Sequence, residues 1–298
     1  MRSFSGSSFD LLLCAATFES HESAIRLIQS IQKLGANCLA VITGPIVTEL
    51  EYIKMATLDI PRVLFLAPEN SMYLCRNWGF VWAVHESISA RYMASLDDDI
   101  EFRDESRGMI ERMDEIRVDP TFSVLGFSCN SHHYTAWGGE DKGGMLRLNP
   151  TFVDGNMIFT QWEDNLQFGL PDSLPHEPMS YFSEVEFEHR LRILTGRPTV
   201  GEVSKQYWYW HYHRDELPRL RKRQISCAGG ESTGVRLWKE KYGLDMGSFI
   251  WDAKTCYRAL EELKGREEQM KKHMIFDGQW NDWGAIYASL EDKFLRIA

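Results

Sequence analysis

Residues 76–102 read RNWGFVWAVHESISARYMASLDDDIEF, and this stretch decides the fold class. Its first half spaces apolar side chains along one helical face, and residues 92–96 then form the apolar run of a buried strand. That strand leads directly into Asp97, Asp98 and Asp99. In open α/β sheets ligands bind at the carboxyl ends of strands, so the stretch predicts an α/β fold with an acidic ligand site.

Upstream, the chain shows the same alternation of strand and helix. Residues 9–16 are a continuous apolar run, as in a buried parallel strand. A helix that Ser20 can cap follows, and residues 38–43 form the next strand, which completes a βαβ unit. A weaker second cycle has a helix at residues 47–55 and a strand at 62–66. We therefore expect a Rossmann-like mixed sheet flanked by helices.

Downstream of residue 105 the predicted elements are shorter and more varied. A long polar, glycine-rich stretch interrupts them, and the last eighty residues have a mainly helical pattern with a glycine-rich loop at 227–234. The sequence predicts helices at 108–117 and 183–194, and strands at 122–128, 152–160, 200–203 and 207–213.

Composition narrows the function classes. The 298 residues are 44% apolar, which is ample for a core, and the net charge of −10 argues against a protein that coats nucleic acid or anionic membranes. The longest apolar run is roughly half of a bilayer span, and the N-terminus lacks a signal-peptide pattern. The six cysteines form no CxxC pair. We expect a cytoplasmic protein without a membrane span.

Three consecutive aspartates at a strand end concentrate negative charge where hydration is incomplete. Such an arrangement is costly unless a cation compensates it, and oxygen ligands favour Mg²⁺ or Mn²⁺. The alternative is a solvated acidic turn. An EF-hand is excluded because Ile100 falls in the wrong register, and a haloacid-dehalogenase-like phosphatase would need a D-x-D-x-[TV] motif.

Residues 76–102 resemble the family-2-like GT-A glycosyltransferases, in which an N-x-G opening, a helix and an apolar strand precede a DxD motif. Asn77 and Gly79 match the opening, and the run Asp97-Asp98-Asp99 matches the motif. The resemblance implies a GT-A fold in which Asn77, Asp97 and Asp98 contact the nucleotide sugar, with Asp97 near the ribose. It implies that Asp99 binds Mn²⁺ or Mg²⁺.

Two later segments are similar to the same family. FVDGNMIF (152–159) is similar to the strand that borders the acceptor site, and SEVEFEHRL (183–191) to the helix that carries the base of inverting members. The resemblance implies that Glu184 is the base, although Ser183 stands where the family has its first acid. The alternative is that Glu184 and Glu186 are exposed acids favoured by the helix dipole.

The aromatic segment YWYWHYHR (207–214) supplies further candidates. His211 and His213 alternate onto one face of a strand, and many enzymes of this family take a metal ligand from a late histidine, so His213 is the first choice and His211 the second. The alternative for both is packing among the aromatic rings. Arg214 is placed to reach the diphosphate, with a solvated basic face as its alternative.

The loop after the first strand lies where the family binds its nucleotide base, which assigns Thr17 and Glu19 to the donor. The resemblance divides the chain into a nucleotide-sugar-binding half (1–105), an acceptor-binding half (106–214) and a helical C-terminal extension with a lid loop (215–298). Residues 215–298 themselves match no family.

The function expected is metal-dependent transfer of a sugar from a nucleotide diphosphate, with a UDP-sugar favoured and with inversion rather than retention. The acceptor is a saccharide, another small molecule or hydroxymethylated DNA. The alternative from another class is a non-catalytic protein that binds nucleotide sugars or carbohydrate.

Overall fold

A mixed β-sheet organises the chain, and a computed structural model describes residues 4–69, 71–130, 136–150, 152–153, 156–172, 183–204, 206–212, 233–245, 253–272 and 281–297. Within these ranges twelve strands join one sheet and two form a separate ribbon. The strands are β1 (Ser8–Ala16), β2 (Cys38–Gly44), β3 (Arg62–Leu66), β4 (Ser89–Asp97), β5 (Ile100–Phe102), β6 (Val124–Cys129), β7 (Ala136–Trp137), β8 (Glu140–Lys142), β9 (Leu146–Leu148), β10 (Phe152–Val153), β11 (Met157–Gln161), β12 (Thr199–Glu202), β13 (Trp208–His211) and β14 (Leu295–Ile297).

Helices connect and cover these strands. Three short 3₁₀ segments, Ile31–Leu34, Asp104–Ser106 and Glu291–Lys293, supplement them. The α-helices are α1 (His21–Ser30), α2 (Val47–Ala56), α3 (Met72–His85), α4 (Met109–Val118), α5 (Trp162–Phe168), α6 (Ser183–Thr195), α7 (Thr233–Tyr242), α8 (Ala253–Leu263), α9 (Glu267–Met270) and α10 (Trp283–Leu290).

The parallel part of the sheet has the order β3-β2-β1-β4. The chain moves outward from β1 through β2 to β3, and then returns to the other side of β1 to form β4. The carboxyl ends of β1 and β4 therefore flank a topological switch point, which is where open α/β sheets bind ligands. Ala16 is paired with Asp97 at this point.

Antiparallel strands extend the sheet beyond β4. β11 lies between β4 and β6 and is antiparallel to both, and β12 runs parallel to β6. β13 pairs with both β5 and β6, which places His211 opposite Ile100. This pairing brings a strand from late in the chain beside the acidic turn that follows β4.

Two apolar cores lie on opposite faces of the sheet. Leu11, Leu13 and Ala15 of β1 pack with α1, α2 and α4, whereas Leu12 and Cys14 pack with α3, α5 and α10. The alternation follows from the two-residue period of a strand. The result is a three-layer arrangement of helices, sheet and helices, which confirms the predicted α/β class with a mixed sheet.

Helix α3 begins earlier than the sequence indicated. The expected start was near Asn77, but the helix runs from Met72 to His85, so Asn77 and Gly79 lie inside it. Gly79 allows close packing, because a Cβ atom there would lie 2.8 Å from Cys14 Sγ. The residues from Tyr73 to Ala83 are all buried. The start was predicted too late because we searched for apolar residues on one helical face, whereas this helix is buried on nearly all sides.

The described part of residues 215–298 is mainly helical, as expected. α7, α8 and α9 form a small separate core with Val185 of α6. The chain then returns to the sheet, where β14 pairs antiparallel with the outer edge of β3 and Phe294 stacks on Trp78 at 4.6 Å between ring centroids. The sequence did not predict β14, which ties this extension to the first half of the chain.

None of the helices in the described ranges combines the length and the apolar character that crossing a membrane requires.

Candidate metal centre

Three side chains from two strand ends converge beside the switch point. A ligand atom from each of Asp97, Asp99 and His211 lies within 4.8 Å of the other two. Nε2 of His211 is 3.1 Å from Oδ1 of Asp99 and 3.8 Å from Oδ2 of Asp97. Neighbouring ligand atoms of an octahedral ion with bonds of about 2.1 Å lie about 3 Å apart, which matches the distance to Asp99 and needs Asp97 to move slightly closer. The cluster could therefore hold a divalent metal.

The backbone fixes the two carboxylates. Asp97 ends β4, and its N–H donates to the carbonyl of Asn156 at 2.8 Å. The carbonyl of Asp99 accepts from the N–H of Tyr212 at 3.0 Å, next to the pairing of β13 with β5. The turn that carries the acids is thus held from both sides.

Two asparagines hold His211 in place. The Asn130 side chain accepts a hydrogen bond from the backbone N–H of His211 at 2.6 Å and donates to its carbonyl at 3.3 Å. Nδ2 of Asn156 lies 3.2 Å from Nδ1 of the imidazole, on the side of the ring away from Asp99. Nε2 is thereby directed at the carboxylates, an orientation typical of a metal-binding histidine.

The acidic run is not a solvated turn. Asp98 and Asp99 are 8% and 7% exposed, whereas the side chain of Asp97 is 33% exposed. The hydroxyl of Ser20 donates to Oδ2 of Asp98, which ties the run to the loop after β1. Burial of adjacent carboxylates is costly without a compensating cation, and this favours a positively charged ligand at the site.

Arg76 is a cation beside the cluster that the sequence pattern did not single out. It is 1% exposed, and its Nη2 donates to Oδ1 of Asp97. Burial alone would lower the pKa of this guanidinium, but the charge of Asp97 raises it above its ordinary value. Its Nε and Nη1 have no hydrogen-bond partner among the described residues. A charged residue inside the apolar run of α3 was the signal that could have revealed it.

Glu184 is buried rather than exposed. It is 4% exposed and Glu186 is 0% exposed, so the alternative of two solvent-exposed helix-start acids is wrong. The phenol of Tyr73 donates to Oε2 of Glu184 at 3.1 Å. Burial, and then the charge of Glu184, raise the pKa of Tyr73 well above its ordinary value, so the phenol stays protonated and able to donate.

Tyr73 connects Glu184 with the metal-ligand cluster. Its ring lies 5.4 Å from the guanidinium carbon of Arg76, which in turn pairs with Asp97. One turn of α3 therefore contacts both the base candidate and the acidic run, because residues three apart share a helix face.

The other residues predicted to contact the nucleotide sugar make hydrogen bonds within the protein. Thr17 is 2% exposed, and its hydroxyl lies 3.3 Å from that of Ser20. Glu19 has a φ of 53° and its N–H donates to Glu49 at 2.9 Å. Asn77 is 1% exposed and donates to the carbonyl of Pro171 at 2.7 Å, so it joins α3 to the segment after α5. The predictions for His213 and Arg214, and residues 227–232 of the lid loop, fall outside the described residues. Residues 233 and 234, expected in that loop, begin α7.

Comparisons with known proteins give no family assignment. No family model and no curated protein matches the chain. Among solved structures, mannose-1-phosphate geranyltransferase from Thermus thermophilus is similar over 66% of this chain and 73% of that chain, with 12% identity and a TM-score of 0.37. A likeness at this level says nothing of function, so the functional conclusion rests on the site residues.

Proposed function

We propose that the chain is a metal-dependent glycosyltransferase that takes its sugar from a nucleotide diphosphate. The observation that carries this proposal is the convergence of Asp97, Asp99 and His211 at the β1/β4 switch point, with Glu184 connected to them through Tyr73 and Arg76. A cation site that two residues connect with a buried carboxylate combines a place for a diphosphate with a group that can accept a proton.

The reaction proposed is a displacement at the anomeric carbon. The acceptor oxygen forms a bond to that carbon as the bond to the diphosphate oxygen breaks, and the electron pair leaves with the diphosphate. Glu184 accepts the proton of the acceptor hydroxyl, and a single displacement of this kind inverts the anomeric configuration. A divalent cation at the cluster, when bound, stabilises the charge that develops on the diphosphate.

The chain's own residues prepare this geometry. Tyr73 donates to one oxygen of Glu184 and so fixes the orientation of the carboxylate. Arg76 holds Asp97, and Asn156 and Asn130 hold His211, so the metal ligands need little reorganisation. Among the sequence candidates, Thr17, Glu19, Asn77, Asp98 and Arg214 remain proposed contacts of the nucleotide sugar, and His213 remains a proposed alternative metal ligand.

The substrates proposed follow the sequence resemblance. A UDP-sugar is the favoured donor, and a saccharide or other small molecule is the favoured acceptor. Hydroxymethylated DNA is the weaker acceptor, because the net charge of −10 opposes binding of a polyanion.

A screen of nucleotide sugars with and without Mn²⁺ tests the proposal. We expect one donor to raise the melting temperature only with metal, since a ligand that binds the folded state stabilises it. Glu184→Gln should keep that shift and lose transfer to acceptor, while Glu163→Gln, a change at an exposed acid that also starts a helix, should keep both.

Three results would count against it. A donor shift that does not depend on metal would remove the role of the acidic run. Wild-type transfer rates in Glu184→Gln would remove the assignment of the base. Binding of a nucleotide sugar without release of nucleotide, for any acceptor supplied, would indicate the non-catalytic binding protein.

A further inference from the structure

Four buried charged side chains form a cluster at the first two turns of α6. Lys241 Nζ is 2.5 Å from Oδ2 of Asp172 and 3.1 Å from Oε1 of Glu186. Arg190 Nε is 3.2 Å from the same oxygen of Glu186. The side chains of all four are at most 1% exposed. Among the described residues, this cluster sets the cations Lys241 and Arg190 against the anions Asp172 and Glu186.

The cluster joins three segments that are distant in sequence. Glu186 and Arg190 belong to α6, Lys241 to α7, and Asp172 to the segment after α5. Arg190 also donates to the carbonyls of Phe168 and Leu170 at 2.8 and 2.6 Å. The cluster therefore fixes α6 against both its neighbours.

The C-terminal helices α7 and α8 also contact α6 at residues close to this cluster. Val185 packs in the core formed by α7, α8 and α9. Nε2 of His189, one turn further, lies 3.1 Å from the carbonyl of Cys256 on α8. The hydroxyl of Tyr242 donates to Glu186. Glu184 thus stands at the start of a helix whose adjoining residues are held by the C-terminal extension.

We propose that Lys241 is a positioning residue for Glu184, and that the C-terminal helices α7 and α8 hold the base helix in register with α3. This inference rests on the proposed function. The first turn of a helix lacks backbone partners for its N–H groups, so side-chain contacts decide how well its residues are placed. A base displaced by about 1 Å can lose about a hundredfold in rate, so a remote support affects turnover.

Kinetics of Lys241→Met test the proposal. Methionine keeps the length and apolar stem of the side chain but removes the contacts of the ammonium group with Asp172 and Glu186. We expect kcat to fall by at least about tenfold, while the Kd for nucleotide with Mn²⁺ stays within about twofold, because the metal ligands lie on other elements. Lys239→Met, an exposed position on the same helix, should change neither value.

A charge-balanced variant separates positioning from general damage. Lys241→Met combined with Asp172→Asn removes one cation and one anion together but still lacks the contact from Lys241 to Glu186, so we expect a folded protein whose kcat stays at least about fivefold below that of the wild type. This double variant also keeps the test decisive if Lys241→Met alone does not fold. A wild-type kcat in folded Lys241→Met would overturn the proposal, and so would a parallel loss of kcat and nucleotide affinity.

Hydrogen exchange provides a readout that needs no enzyme activity. In Lys241→Met, amides of residues 187–190, the first in α6 with helical hydrogen bonds, should exchange at least about tenfold faster than in the wild type, while those of residues 76–85 in α3 should not change. Unchanged exchange at residues 187–190 would overturn the proposal. If the wild type transferred no sugar at all, the proposed function would fail, and this exchange measurement would still decide whether Lys241 holds the helix.

Discussion

Oε2 of Glu184 accepts a hydrogen bond from Tyr73 at 3.1 Å, across a separation of 111 residues in sequence. The contact joins the buried starts of α3 and α6, and both residues are almost fully excluded from solvent. A hydrogen bond to a buried carboxylate is both strong and directional. The position of the base candidate is therefore determined by a tyrosine that no local sequence pattern connects with it.

Removal of this hydroxyl should affect turnover more than binding. We expect Tyr73→Phe to lower kcat by about tenfold or more, since a hydrogen bond to a charged group contributes about 1.5–3 kcal/mol. The nucleotide Kd should not change. Tyr92→Phe is the matched control, because Tyr92 also donates to a carboxylate, Asp114 at 2.7 Å, but stands near the other end of β4. Equal kinetics in both variants would contradict the prediction.

Metal-dependent stabilisation should require the cluster. With Mn²⁺ added to the wild type we expect a rise in melting temperature, and Asp99→Asn and His211→Gln should each abolish most of it, because each removes a ligand of the site. Asp104→Asn, at an acid that is fully exposed, should leave the rise intact. A Mn²⁺ shift of wild-type size in Asp99→Asn would show that the ion binds elsewhere.

The ion pair between the buried Arg76 and the partly exposed Asp97 should contribute more to stability than a surface pair. Arg76→Met leaves the Asp97 carboxylate without this cation, and because that side chain is 33% exposed we expect a loss of about 2 kcal/mol, below the cost of about 3–5 kcal/mol for breaking a fully buried pair. Arg91→Met removes a 2.6 Å pair with Asp114 whose side chains are 41% and 39% exposed, so it should cost at most about 1 kcal/mol. Urea unfolding of the two variants measures the difference, and similar losses would contradict this account.

His189 should make the fold sensitive to mild acid. Burial, followed by the charge of Arg192, lowers the pKa of this imidazole to about 4, against the hydrogen bond with the Cys256 carbonyl. Between pH 6.5 and pH 4 the unfolded chain binds a proton here that the folded chain does not. The contribution to the free energy of unfolding is therefore complete above pH 6.5 and is lost as the pH falls, by about 3 kcal/mol in total.

Glutamine at position 189 isolates this effect, since its amide can donate to the same carbonyl without titrating. Urea unfolding at several pH values should show that the stability advantage of the wild type over His189→Gln shrinks as the pH is lowered from 7 to 4. A constant difference between the two proteins across this range would mean that the imidazole does not titrate as described.

The sequence predicted the elements around the site better than it predicted their partners. Residues 92–96 and the three aspartates after them were identified because apolar periodicity and charge are local signals. The helix expected at 183–194 forms as α6, with one residue added at its end. The strand, the acidic run and the helix each depend on neighbours within a few residues, so they can be predicted from a single sequence.

The arrangement of ligands depends on contacts that are not local. Asp97 was expected near a ribose, but the geometry adds it to Asp99 and His211 as a metal-ligand candidate. His211 was the second choice among the histidines, and its place beside the acids results from the pairing of β13 with β5. Arg76 was not singled out because its partner lies 21 residues further along the chain, at the end of the next strand. Such pairings follow from sheet order, which periodicity does not encode.

The pairing of β14 with β3 has a consequence for biosynthesis. Residues 295–297 (β14) pair with the outer edge of β3, which leaves the ribosome more than two hundred residues earlier. Until then the nascent polypeptide presents an open, apolar β-edge of the kind that recruits chaperones or joins other chains. Premature termination anywhere before Leu295 should therefore yield a product prone to aggregation, even when every residue of the acidic cluster has been translated.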